Sequence, residues 1–159
     1  MLNRLQNVFR SFQQNDVKYV VIGGIAAILH GVPRTTFDLD ILIEATPDNV
    51  DRLLKALEQA GLGTAVLTNI EDVLANEITI FQDRVRVDVQ TSTPGITFPE
   101  AWKNRKKVTF RGQEFYIVSK PDLIASKKAS GRDIDLEDVR LLNLPKENDS
   151  EHNSDTDNP

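Results

Sequence analysis

Residues 21–44, VIGGIAAILHGVPRTTFDLDILIE, decide how this chain is read. The β-branched apolar run over 17–22 predicts a strand, and Gly23-Gly24 stops it. IAAILHG, over 25–31, then reads as a short helix closed by Gly31. Residues 36–44, TFDLDILIE, alternate with period two, so Asp38 and Asp40 share one face while Leu39, Ile41 and Ile43 share the other. Unpaired carboxylates on an otherwise apolar strand are costly to bury, so two that point the same way imply a ligand or a partner.

Upstream, Leu2, Leu5, Phe9 and Phe12 recur at helical spacing and predict an amphipathic helix over 2–14. Downstream, Thr46-Pro47 reads as an N-cap followed by proline at the first helical position, and Val50, Leu53, Leu54 and Leu57 form the buried stripe of a helix ending at Gly61. Residues 64–81 read as a short TAVL strand, a polar stretch and a second strand near 77–81. Over 84–90, Val85, Val87 and Val89 share one face and Arg86, Asp88 and Gln90 the other, which makes Asp88 a third strand acid. A short helix over 98–105 and a hairpin over 108–118 turning at Gly112 follow. Ser119 and Asp122 predict a capping box opening a helix to about residue 130, and Asp133 is expected to cap a last helix through Leu142. With no repeat or linker in residues 1–144, the pattern predicts one α/β (α+β) domain, a mixed sheet flanked by helices with a short helical C-terminal extension.

Composition narrows the chemistry. The 159 residues include no cysteine, which excludes a disulfide framework, a thiol nucleophile and thiolate-ligated metals, and two histidines leave little for a histidine metal site. No apolar run approaches the roughly 18 residues of a membrane span, and the first twenty residues lack a signal-peptide layout, so a cytoplasmic protein without membrane contact is expected. Net charge is −5, but residues 145–159 hold five acids and one lysine, leaving the body nearly neutral. That segment has no aliphatic or aromatic side chain to bury and is expected to be a disordered acidic tail.

Same-face residues two apart on a strand lie roughly 6.5 to 7 Å from one another, close enough for Asp38 and Asp40 to share one divalent cation or a pair. Asp88 can join them from its own strand. Hard carboxylate ligands suit magnesium or manganese, which complete their shells from water and substrate phosphates. Two such ions about 3.5 to 4 Å apart clamp the attacking and leaving oxygens of an in-line phosphoryl displacement. Gly23-Gly24 at a helix start adds backbone N–H groups for a triphosphate, with no side chain in the way.

The set GG at 23–24, DLD at 38–40 and VDV around Asp88 resembles the nucleotidyltransferase fold superfamily. More narrowly, residues 21–44 and the later KKASGRDIDLEDVRLL over 127–142 are similar to the two motifs of the toxin-like nucleotidyltransferases related to abortive-infection systems. The resemblance implies that Asp38, Asp40 and Asp88 are catalytic metal ligands, Asp88 alternatively taking the proton of the attacking hydroxyl. It also implies that Gly23, Gly24, Arg34, Thr36 and Lys127 bind the nucleotide, and that Arg132, Asp135 and Asp138 pack beside Lys127. The expected activity is magnesium-dependent transfer of a nucleoside monophosphate from a nucleoside triphosphate (NTP) to an acceptor hydroxyl, with release of pyrophosphate. By resemblance the acceptor is a transfer RNA, and the setting a toxin–antitoxin or phage-defence pair with an antitoxin partner. Modification of a small molecule such as an antibiotic, modification of a protein hydroxyl, and a catalytically silent nucleotide- or partner-binding relative remain open.

Two features outside that set have plainer readings. His30 is expected to bond locally at a helix end. The basic run Lys103, Arg105, Lys106, Lys107 and Arg111, beside Trp102, reads either as an RNA surface with a stacking ring or as a solvated hairpin face.

Overall fold

The computed structural model describes residues 1–145; beyond Pro145 the expected acidic tail lies outside them. Helix α1 spans Leu2–Gln14, strand β1 Tyr19–Ile22, α2 Gly23–Leu29, β2 Asp38–Ile43 and α3 Pro47–Gln59. A 3-10 turn follows over Gly63–Leu67, then α4 Ile70–Ala75, β3 Ile78–Gln82, β4 Arg86–Gln90 and α5 Phe98–Lys103. The chain closes with β5 Lys106–Phe110, β6 Gln113–Ile117, α6 Lys120–Ser130 and α7 Asp133–Leu142. One six-stranded sheet runs in the order β3-β4-β2-β1-β6-β5. It is mixed: β2 and β4 are parallel, β1 and β6 are parallel, and the β3-β4 and β5-β6 hairpins are antiparallel.

Periodicity accounts for the packing. Leu5, Val8, Phe9 and Phe12 bury one stripe of α1, and the Phe9 ring stacks on Phe115 of β6 with centroids 4.1 Å apart. Ser11 Oγ donates to the Ala56 carbonyl at 2.6 Å and ties α1 to α3. The carboxamide of fully buried Asn49 accepts from the Lys18 N–H and donates to the Lys18 and Glu44 carbonyls, holding the entry of β1 to the exit of β2. Leu39, Ile41 and Ile43 are buried, whereas Asp38 and Asp40 are partly exposed. From Leu42 onward both faces of β2 are covered, so the acid-bearing face is open only at the start of the strand.

Four local readings change. TAVL is a 3-10 turn, and part of the polar stretch after it is α4, capped by Asn69, whose side chain accepts from the Asp72 N–H. An apolar run this short carries too little periodicity to separate strand from turn. The glycine pair is the first turn of α2, with Gly23 at φ +66°. Arg132, and not Asp133, is the cap position of α7, with no side-chain cap bond; Asp133 is its first helical residue. His30 bonds across the molecule: its Nε2 donates to the Val118 carbonyl at 2.8 Å, 88 positions along the chain.

Candidate active site

The parallel register of β2 and β4 sets Asp40 directly opposite Asp88, and Asp38 opposite Arg86. Because side chains alternate, all four stand on the same face of the sheet. Burial, then the neighbouring charges of Asp88 and Asp38, push the Asp40 carboxyl up to about 7, although the Arg132 charge pulls the other way. Asp38 is the more open of the two acids beside Arg86, with 42% of its side chain exposed against 14% for Asp88.

Arg86 is the residue that sequence reasoning missed. Its Nε and Nη2 donate to the two Asp88 oxygens at 2.8 and 3.2 Å, and its Nε lies 3.7 Å from Asp38 Oδ2. A same-face arginine two positions before Asp88 was visible in the alternation, but its partners were not. Among the described residues no three acidic or histidine side chains form a ready-made metal cage. The donor set nonetheless fits a hard cation. Burial and then the neighbouring carboxylates disfavour the charged form of Asp40, a cost that a bound positive charge relieves. Magnesium needs only one or two protein carboxylates when substrate phosphates supply the rest.

Gly23 is required at its position twice over. Its φ of +66° suits glycine, and a Cβ there would lie 2.5 Å from Asp40 Oδ2. At Gly24 a Cβ would lie 3.1 Å from both Arg34 Nη2 and Thr36 Oγ1, so the backbone, Arg34 and Thr36 converge.

Helices α6 and α7 supply the opposite wall. Lys127, 5% exposed, donates to Asp138 at 2.7 Å and to Asp135 at 3.4 Å. Asp138 also accepts a two-pronged contact from Arg34 at 3.0 and 2.9 Å, which pins α7 to the segment before β2. Burial pushes the Asp135 carboxyl up, but hydrogen bonds from Arg132 and Ser130 and the Lys127 charge outweigh it and hold the group below the usual range. Arg132 is 73% exposed and close enough to influence Asp40, so it stands at the site as well as in the helix-packing cluster.

Gly23, Gly24, Arg34, Thr36, Asp38, Asp40, Asp88 and Lys127 all line one cleft of about 600 Å³. Arg132 and Asp135 also line it, while Asp138 lies behind. Trp102 and the basic run are elsewhere. The Arg105 guanidinium sits 3.8 Å from the Trp102 ring centroid and 4.5 Å from that of Tyr116, so the indole face is already covered.

A mixed sheet thus sets three acids beside a glycine-opened helix and the cationic side chains of Arg34, Lys127 and Arg132. The chain belongs to a nucleotidyltransferase family: the family described as "Nucleotidyltransferase of unknown function (DUF6036)" matches residues 2–154. No curated protein matches it at a significant level. Among the described residues no helix is long and apolar enough to cross a membrane.

Proposed function

We propose that the cleft moves a nucleoside monophosphate from an NTP to an acceptor hydroxyl, releasing pyrophosphate. The observation that carries this reading is the gathering of the three acids, the Gly23-Gly24 backbone, Arg34, Thr36 and Lys127 around one cleft in a member of a nucleotidyltransferase family. Asp38 and Asp40 would hold magnesium or manganese, which when bound supplies positive charge against the α-phosphate and the leaving pyrophosphate. The Gly23 and Gly24 backbone, Arg34 and Thr36 receive the triphosphate. Lys127 lends it positive charge from behind, held in place by Asp135 and Asp138. Asp88 takes the proton of the attacking hydroxyl as the acceptor oxygen bonds to the α-phosphorus.

The similarity of residues 21–44 and 127–142 to the toxin-like nucleotidyltransferases supports an RNA acceptor, a transfer RNA among them, and a cytoplasmic toxin–antitoxin or phage-defence setting. The test is incubation of the protein with each α-labelled NTP, magnesium and total cellular RNA, beside the Asp38→Ala/Asp40→Ala variant. Label on a transfer-RNA-sized band with the wild type alone is the expected result. Label on a small molecule or a protein moves the acceptor class, and no labelled product from any acceptor overturns the enzymatic reading.

A catalytically silent relative is the second reading. It draws on Arg86, whose guanidinium contacts two of the three acids where a cation would act. Titration with manganese decides it: no binding at millimolar concentration favours the silent relative.

A further inference from the structure

A second cavity, of about 400 Å³, opens at the rim of the sheet where the first turn of α1, the end of α2, residues 34–37 and the β3-β4 turn meet. It adjoins the acid cleft: Arg34, Thr36 and Asp38 line both. None of the α6 or α7 residues that wall the acid cleft reaches it.

Two features of this rim bear on what it binds. Leu5, Ile28 and Val85 give it an apolar lining, yet Phe37, beside the metal-site acid Asp38, leaves 79% of its surface in solvent. An aromatic ring left in solvent at the mouth of a cavity has its face free to stack on a ligand's ring. Four arginines surround the cavity. Arg34 and Arg86 are committed to Asp138 and to Asp88, but no ion pair joins Arg4 or Arg84 to a carboxylate among the described residues. Arg4 donates only to the Arg84 carbonyl, at 3.3 Å, which holds α1 against the β3-β4 turn. Asp83 is the one acid of the rim besides Asp38.

We propose that this cavity is the acceptor site and takes a nucleoside monophosphate unit. The proposal rests on the nucleotidyltransferase reading of the acid cleft. Its ring lies against Phe37 and the apolar lining, its phosphate meets Arg4 and Arg84, and a sugar hydroxyl faces Asp38. A ring, an anion and a nucleophilic hydroxyl in one molecule are what Phe37, the two arginines and Asp38, together, select. The volume holds one such unit. In-line displacement requires the attacking oxygen and the leaving pyrophosphate on opposite sides of the α-phosphate. Helices α6 and α7 line the acid cleft alone and the β3-β4 turn lines the rim cavity alone, so a triphosphate held against Lys127 leaves the rim cavity to the attacking hydroxyl. The acceptor oxygen bonds to the α-phosphorus, the bond from that phosphorus to the bridging oxygen breaks, its electron pair leaves with pyrophosphate, and the hydroxyl proton passes to Asp88. A free mononucleotide and the end of a nucleic-acid strand both present this unit.

Calorimetric titration separates them. The full chain, saturated with magnesium and an α,β-methylene NTP, is titrated with adenosine 5′-monophosphate and with a short single-stranded RNA, beside Phe37→Ala and Arg84→Gln. Both side chains lie outside the core, so unchanged melting temperatures serve as the folding control. The expected result is that each variant weakens binding of at least one probe about tenfold and leaves binding of the triphosphate analogue unchanged. Mononucleotide binding at least as tight as RNA identifies the free nucleotide as the source; binding of RNA alone identifies a strand end. If neither probe binds the analogue-loaded wild type, or the variants bind both as the wild type does, the acceptor assignment is wrong. Weakened analogue binding in Phe37→Ala also overturns it and makes the rim part of the triphosphate site. If the analogue itself does not bind, the reading of the acid cleft fails, which is a separate result.

Discussion

Asp40 lies where strand alternation, burial and two like charges meet, and that decides how it responds to pH. Its neutral form is favoured in the fold, so the stabilisation from keeping it protonated is complete below the ordinary value of 3.8 and is lost as pH rises through about 7. Asp40→Asn keeps the shape and removes the titration. Scanning calorimetry from pH 4 to 8 without divalent cations is expected to show a fall in wild-type melting temperature relative to this variant; parallel curves would mean that the fold does not raise the Asp40 carboxyl. Magnesium is expected to raise the wild-type melting temperature more at pH 8 than at pH 5, because only the ionised group attracts it. In the labelled-NTP assay, Asp40→Asn is expected to reduce transfer at least about a hundredfold with the fold intact, and undiminished transfer would remove the metal-site reading.

Among the elements, α6 and α7 are fastened to the acid strands by charge. Lys127 bridges Asp135 and Asp138, and Asp138 reaches across to Arg34 ahead of β2. Lys127→Met leaves two buried carboxylates short of a partner and is expected to cost about 3–5 kcal/mol, read as a lower denaturation midpoint. A change under about 1 kcal/mol would show that the two arginines suffice. At the other wall, Gly23→Ala places a methyl group 2.5 Å from Asp40 Oδ2 on a backbone at φ +66°. Loss of both stability and manganese affinity is expected, and wild-type manganese binding would mean that Asp40 moves aside freely.

At the scale of the whole molecule, the acids stand on β2 and β4 while the lysines of β5 occupy the far edge of the same sheet. Three strand spacings, roughly 14 Å, separate β2 from β5. An RNA contacting both would lie across the domain. Replacing Lys103, Lys106, Lys107 and Arg111 with Ala, and sparing Arg105 because it packs on Trp102, is expected to weaken RNA binding and flatten its salt dependence. An unchanged salt slope would return that edge to the role of a solvated face.

The alternation of 36–44 and 84–90 and the helical stripes of 2–14 and 47–59 made the α/β class and the shared face of Asp38 and Asp40 readable from the sequence alone. Such periodicity is local: it is written into residues two to four positions apart, and burying one face enforces it. Residues 63–75 escaped that reading because their apolar runs are too short to show a period. Tertiary structure alone decided that Asp88 faces Asp40, that Arg86 rests among the acids, that Arg34 reaches Asp138 and that Lys127 is buried between two carboxylates. The physical reason is that a charge takes its partner by distance in space, and strand register and helix packing set that distance between residues as far apart in sequence as 34 and 138.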